Sequence, residues 1–276
     1  MVARIRKIAP RNRRFRGRHA RSVESRSLAM EKKLAEQLDK IGKKIMNRVI
    51  GEIRTTGTVL QVSKAMDEDD RALFRIFRHF GLMQLRDGGR EVFGDFTVRS
   101  DFETRYFADL TIQIQQLRSG IEQQFREGVS RAMAAWSTEA TPPTTREVAR
   151  RLRKQYFVEP DKWTEADEGA LKPLSTATSR FGLARRAMPI ARTEVSRARN
   201  TGRVESMREA GFTRMQWSSY NDSASRAGHA AMNGDIVEIG EKFYNKNTKT
   251  YLSFPGDPTA PPSETINCRC TVVPVL

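Results

Sequence analysis

The amino-acid sequence predicts an α+β protein, with a mainly helical N-terminal region followed by a small C-terminal domain of helices and a short antiparallel sheet. Two observations carry this. Through the first two thirds of the chain apolar residues recur every three or four positions, the period of a helix with one buried face. After about residue 211 that period gives way to short apolar runs separated by Gly, Pro, Asn and Asp, the pattern of strands and tight turns. At 38% hydrophobic and 30% charged among 276 residues, the chain has enough apolar matter for a core, but a thin one.

Residues 1–26 come first. They hold ten Lys/Arg against Glu24 alone, so 10 − 1 gives +9 of the net charge of +16. The run self-repels and lacks an apolar period, which predicts a disordered basic arm over 1–27. Arg4, Arg6, Lys7, Arg11, Arg13, Arg14, Arg16, Arg18 and Arg21 are its candidate nucleic-acid contacts. Such an arm gains free energy by releasing counterions from a polyanion without reading sequence. No apolar stretch follows it, so it does not read as a secretory signal, and its weak apolar moment argues against a transit peptide. No run approaches the ~18 apolar residues of a membrane span.

A helical domain is expected over 28–137. Leu34, Leu38, Ile41, Ile45 and Val49 make one stripe, and Thr55-Thr56-Gly57-Thr58 reads as a break. A second helix is expected to open in the acidic cluster Asp67–Asp70, which suits a helix N-terminus, and to stop at Gly88-Gly89. Ser100-Asp101-Phe102-Glu103 has the form of a capping box. The helix it opens carries the longest stripe, from Phe107 to Met133. Thr141-Pro142-Pro143 then interrupts, which places a hinge at 138–145, and Thr144-x-x-Glu147 caps another helix. Gly211 should end a helix, Met215-Gln216-Trp217 should be a strand, and Asn233-Gly234-Asp235 and Pro255-Gly256-Asp257 should be turns. Thr271–Val275 should be a strand whose edge or end Pro274 marks.

The C-terminal module, 146–276 with its core at 186–276, carries the most specific residues. In order these are Ala191-Arg192-Thr193-Glu194, Asn200, Gly211, Trp217, Asp222, His229-Ala230-Ala231-Met232-Asn233-Gly234, Phe254-Pro255-Gly256-Asp257 and Asn267-Cys268-Arg269-Cys270. The series resembles the phage Mu F-like minor head (head-morphogenesis) family. Its members show an A-R-T-E helix, a Trp strand, an Asp then His-x-x-x-x-Gly, a Pro-Gly-Asp turn and a terminal N-C-R-C. Many relatives carry Cys-x-x-Cys where this chain has Ser225-Arg226-Ala227-Gly228-His229, a departure that weakens any metal site carried over from them. The resemblance implies a virion protein acting in head assembly, at the portal vertex or capsid interior after passing through the host cytoplasm. Its implied partners are the portal protein, the major capsid or scaffolding protein, and genomic DNA through the arm, with no membrane.

At about 100° per residue, Ala191, Glu194, Val195, Ala198, Thr201, Gly202 and Glu205 share one helix face, while Arg192, Arg199 and Arg203 fall on the other. A carboxylate among small apolar groups needs a partner, and an arginine, a backbone amide or His229 would each serve Glu194. Arg192, Thr193, Glu194, Asn200, Trp217, Asp222, His229, Gly234, Asp257, Asn267, Cys268, Arg269 and Cys270 are therefore read first as a structural kernel. The two cysteines are expected to be reduced, and in a strand they would project to one face. With His229 and a carboxylate they are the candidate zinc ligands. The expectation nonetheless is no cofactor, because Cys-x-Cys is not the usual knuckle spacing.

No phosphate loop, G-x-S-x-G elbow or H-E-x-x-H occurs, and His19, His79 and His229 are the only histidines. Catalysis is not expected. The alternatives are a general nucleic-acid-binding protein and a small nuclease using Glu194, His229 and Arg226.

Overall fold

A computed structural model describes residues 13–56, 62–141, 143–157, 162–178, 183–220 and 222–275. Six helices come first: α1 (Arg13–Thr56), α2 (Val62–Val92), α3 (Ser100–Ser137), α4 (Thr145–Phe157), α5 (Glu165–Thr178) and α6 (Leu183–Glu209). Then follow β1 (Arg214–Ser218), α7 (Ala227–Ala231), β2 (Ile236–Glu238), β3 (Phe243–Asn245), β4 (Thr250–Leu252), α8 (Pro262–Thr265) and β5 (Thr271–Val275). Strand β1 is central to an antiparallel sheet of order β2-β1-β5, and β3 and β4 form a separate two-stranded ribbon. The fold is α+β, helices first and sheet last, as the sequence predicts.

The apolar stripes account for the helices. Leu34, Leu38, Ile41, Ile45 and Val49 are all buried, and Ile53 extends their row. They pack with Leu73, Phe77 and Phe80 of α2, Leu110, Ile114 and Val129 of α3, and Leu152 of α4 in one core. Trp136 closes its far end, where the indole N–H donates to the Ala170 carbonyl at 3.0 Å and ties α3 to α5. A second core, separate from the first, holds Val204, Met207, Met215, Trp217, Phe243, Leu252 and Val272. Helix α6 belongs to both: Ala187, Ile190, Ala191 and Val195 lie in the first core, Val204 and Met207 in the second.

Several expectations change. Helix α1 opens at Arg13, within the stretch expected to be a disordered arm. Arginine and alanine are good helix formers, and a helix already nucleated by core packing extends upstream at little cost. Arg13, Arg14, Arg16, Arg18 and Arg21 therefore stand on α1, whereas Arg4, Arg6, Lys7 and Arg11 lie outside the described residues. Helix α2 opens at Val62, ahead of the acidic cluster. The cluster makes interhelical ion pairs instead, Asp69 with Arg48 and Asp70 with Arg118.

Gly88 and Gly89 do not stop α2, which runs through them to Val92. A methyl group on Gly88 would overlap the backbone carbonyl of Arg199, and one on Gly202 would overlap that of Leu85. The two glycines let α2 and α6 cross backbone to backbone. Ser100 is the first residue of α3 and Arg99 is its N-cap, with no side-chain cap, so the capping box does not form there. The one at Thr144 is realised in part, with the Glu147 N–H donating to Thr144 Oγ1 at 3.3 Å. Helix α3 ends at Ser137 and α4 begins at Thr145. Helix α5 follows, an element the sequence reading did not single out.

Candidate functional site

The site is built where α6 meets the C-terminal module. Asn200, buried on α6, donates from Nδ2 to the carbonyls of Pro255 (3.0 Å) and Cys270 (3.1 Å), and accepts from Thr271 at 2.8 Å. Thr193 Oγ1 donates to Pro189 and accepts the Asn267 N–H at 3.0 Å. Asn267 itself has φ +59, a left-handed turn that asparagine tolerates better than most residues. Two side chains one helical stretch apart thus fasten the Asn267–Thr271 segment along α6.

Turn chemistry finishes the module. Gly211 (φ +77) ends the α6 region, and Gly234 (φ +95) and Gly256 (φ +86) make the two turns that the sequence predicts, one between α7 and β2 and the other between β4 and α8. Asp257 is buried and accepts the N–H groups of Ser253 and Thr259 and the Thr259 hydroxyl, at 2.7–2.8 Å. Burial pushes its pKa up, but these donors outweigh it and hold the carboxyl below its ordinary value. Asp222 grips Arg269 with both oxygens (2.8 and 2.7 Å), and that hydrogen bond draws its pKa down; the guanidinium also lies over the Tyr220 ring.

His229 sits at the centre of the second core. Gly228 before it is needed for close approach, since a methyl group there would overlap the Asn245 amide. The imidazole packs edge-on against Trp217, with centroids 5.3 Å apart. Its Nε2 is 2.7 Å from Glu264 Oε2, an oxygen that also accepts from Asn245 at 3.1 Å. Its Nδ1 faces both sulfurs, 3.5 Å from Cys268 and 3.7 Å from Cys270. All three residues are buried, and their donor atoms lie within 4.8 Å of one another. The contact with Cys268 holds the Cys270 thiol down at about 5, and Cys268 is pushed up in return. Burial opposes charging of His229, but its contacts with Cys270 and Glu264 prevail and raise its pKa.

The cysteines face His229 together, although not as a strand: β5 begins only at Thr271, and residues 268–270 are irregular chain. Glu194 finds an arginine as its partner, accepting from Arg197 Nη1 at 3.0 Å with both oxygens, and Arg197 reaches on to the Gly256 carbonyl. Burial raises the pKa of Glu194. The nuclease pair is not assembled. Glu194 lines a small cavity with Tyr106 and Phe80, whereas His229 lines a different one with Tyr220, Ser225 and Arg226.

The arginine face of α6 is not a solvent face. Arg192 reaches Glu31 of α1, and Arg199 and Arg203 both pair with Glu91 of α2. They line a groove of about 740 Å³ shared with Tyr220 and Arg269. Three residues of this network were not foreseen from the sequence: Glu91, Asn245 and Glu264. Only Glu264 left a trace, as the acid in a Pro-Pro-Ser-Glu run that starts a short helix.

Among the described residues, no helix is long and apolar enough to cross a membrane. No curated protein and no solved structure matches the chain. A family model described as Phage Mu protein F like protein matches residues 143–273, from just before α4 into β5. It takes in α4 and α5 as well as the quoted motifs, and so starts well upstream of residue 186. Residues 143–273 are accordingly similar to the Phage Mu protein F like family.

Proposed function

We propose that the protein is a non-catalytic minor component of a phage head, bound to the portal or the inner capsid surface during assembly, with its basic N-terminal residues directed to packaged DNA. One observation carries the non-catalytic part: the family residues are engaged with one another. Asn200 spans to Pro255 and Cys270, Asp222 holds Arg269, Asp257 caps its own turn and Glu194 holds Arg197. Side chains committed in this way shape a scaffold. A reaction centre would need groups left free to meet a substrate.

Portal association rests on the family's role in heads, together with a long helical body that offers extended surface. Co-expression with the portal protein of the same phage tests it. The expected result is co-purification with assembled portal oligomers through affinity capture and size exclusion. Recovery of assembled portal without this protein would reject portal attachment and leave the capsid surface as the docking face.

A further inference from the structure

We infer that His229, Cys268 and Cys270 form a zinc-binding site that locks α7 to the chain segment leading into β5. The argument is geometric. A tetrahedral ion with a nitrogen at about 2.05 Å and a sulfur at about 2.3 Å separates those two ligands by about 3.6 Å, from the cosine rule at the tetrahedral angle. Nδ1 of His229 lies 3.5 Å from Cys268 Sγ and 3.7 Å from Cys270 Sγ. One nitrogen lone pair thus faces two sulfurs at nearly equal distance, the arrangement that a shared ion would hold.

The surroundings fit as well. A metal-bound histidine characteristically donates its other ring N–H to a carboxylate, which fixes the tautomer and aims the free nitrogen at the metal. Glu264 stands in that position at 2.7 Å from Nε2, and Asn245 holds the same carboxylate oxygen. Two thiolates and an imidazole form a soft donor set that favours zinc over magnesium or calcium. A small cleft lined by Tyr220, Ser225 and Arg226 lies beside the three side chains. A protein with a thin second core gains most from such a staple, because metal binding adds directly to folding free energy.

The test uses the full chain, purified in reductant and then stripped with a chelator. Folded wild-type protein, checked by circular dichroism, is titrated with zinc against a chromophoric chelator, and with cobalt while thiolate-to-cobalt charge-transfer absorption is followed. Uptake of one ion per chain with that absorption is expected. Cys268→Ser and Cys270→Ser should each abolish the charge-transfer signal or halve it, with loss of stoichiometric zinc. Glu264→Gln, a positioning change, should keep the absorption while weakening zinc about 10–100-fold. Folded wild-type chain that takes up no zinc, or uptake unchanged in the Cys268→Ser, Cys270→Ser double variant, would overturn the inference. The wild-type measurement decides even if the variants fail to fold.

Discussion

Asn200 and Asp257 do comparable work by different physics. Asn200 supplies a neutral amide to two carbonyls that would otherwise be buried without donors. Asn200→Ala should cost about 2–4 kcal/mol, from the lost bonds, the stranded acceptors and the cavity. Urea unfolding followed by tryptophan fluorescence measures it, and a loss below about 0.5 kcal/mol would show the contacts to be incidental. Asp257 works as an anion. Its folded-state pKa lies below the ordinary value of about 3.9, so its contribution is complete above that pH and fades as pH falls through the folded value. The stability gap between wild type and Asp257→Asn should therefore be widest above about pH 5 and should shrink steadily below about pH 4. A gap that does not change with pH would mean that the donors see only the shape of the side chain.

The crossing of α2 and α6 depends on two small residues, one on each helix. Because backbone atoms lie where their Cβ atoms would go, Gly88→Ala and Gly202→Ala should each cost at least about 2 kcal/mol through forced separation of the helices. Gly51, in α1 with open space around it, sets the contrast. Its replacement by alanine should add about 0.5–1 kcal/mol. Chemical denaturation of the three variants checks both signs at once. This crossing also marks how far a sequence can be read. The stripes on α1 and α3 were legible because burial imposes a period on one helix, and turns such as Gly234 and Gly256 because positive φ restricts residue choice. Gly88-Gly89 misled because a helix stop and a helix crossing both ask for glycine, and only the partner helix tells them apart. Glu264 and Asn245 were hidden for a related reason: their significance comes from His229, 35 and 16 positions away respectively along chain that periodicity does not link.

At the scale of the whole molecule, α6 is the beam on which two separate cores are hung, and Glu91 braces it. That carboxylate meets both Arg199 and Arg203 with little solvent near it, so Glu91→Gln should cost about 3–5 kcal/mol, as a buried charge network that loses its anion does. A change confined to one core would leave the other intact; loss of the brace should instead lower both, seen as parallel loss of hydrogen-exchange protection in α2 and β1. The charge outside this brace is distributed just as unevenly, since residues 1–26 carry +9 of the net +16. If those residues meet the genome, each phosphate they neutralise adds about 0.9 to the slope of log affinity against log salt. Deleting 1–26 should then flatten that slope by several units and weaken duplex binding at low salt by orders of magnitude, while the portal co-purification persists. Fluorescence anisotropy on a random-sequence duplex from about 50 to 200 mM salt measures both quantities. An unchanged slope after the deletion would move DNA contact to the arginine-lined groove beside α6, where Arg192 and Arg269 already have carboxylate partners and would have to exchange them for phosphate.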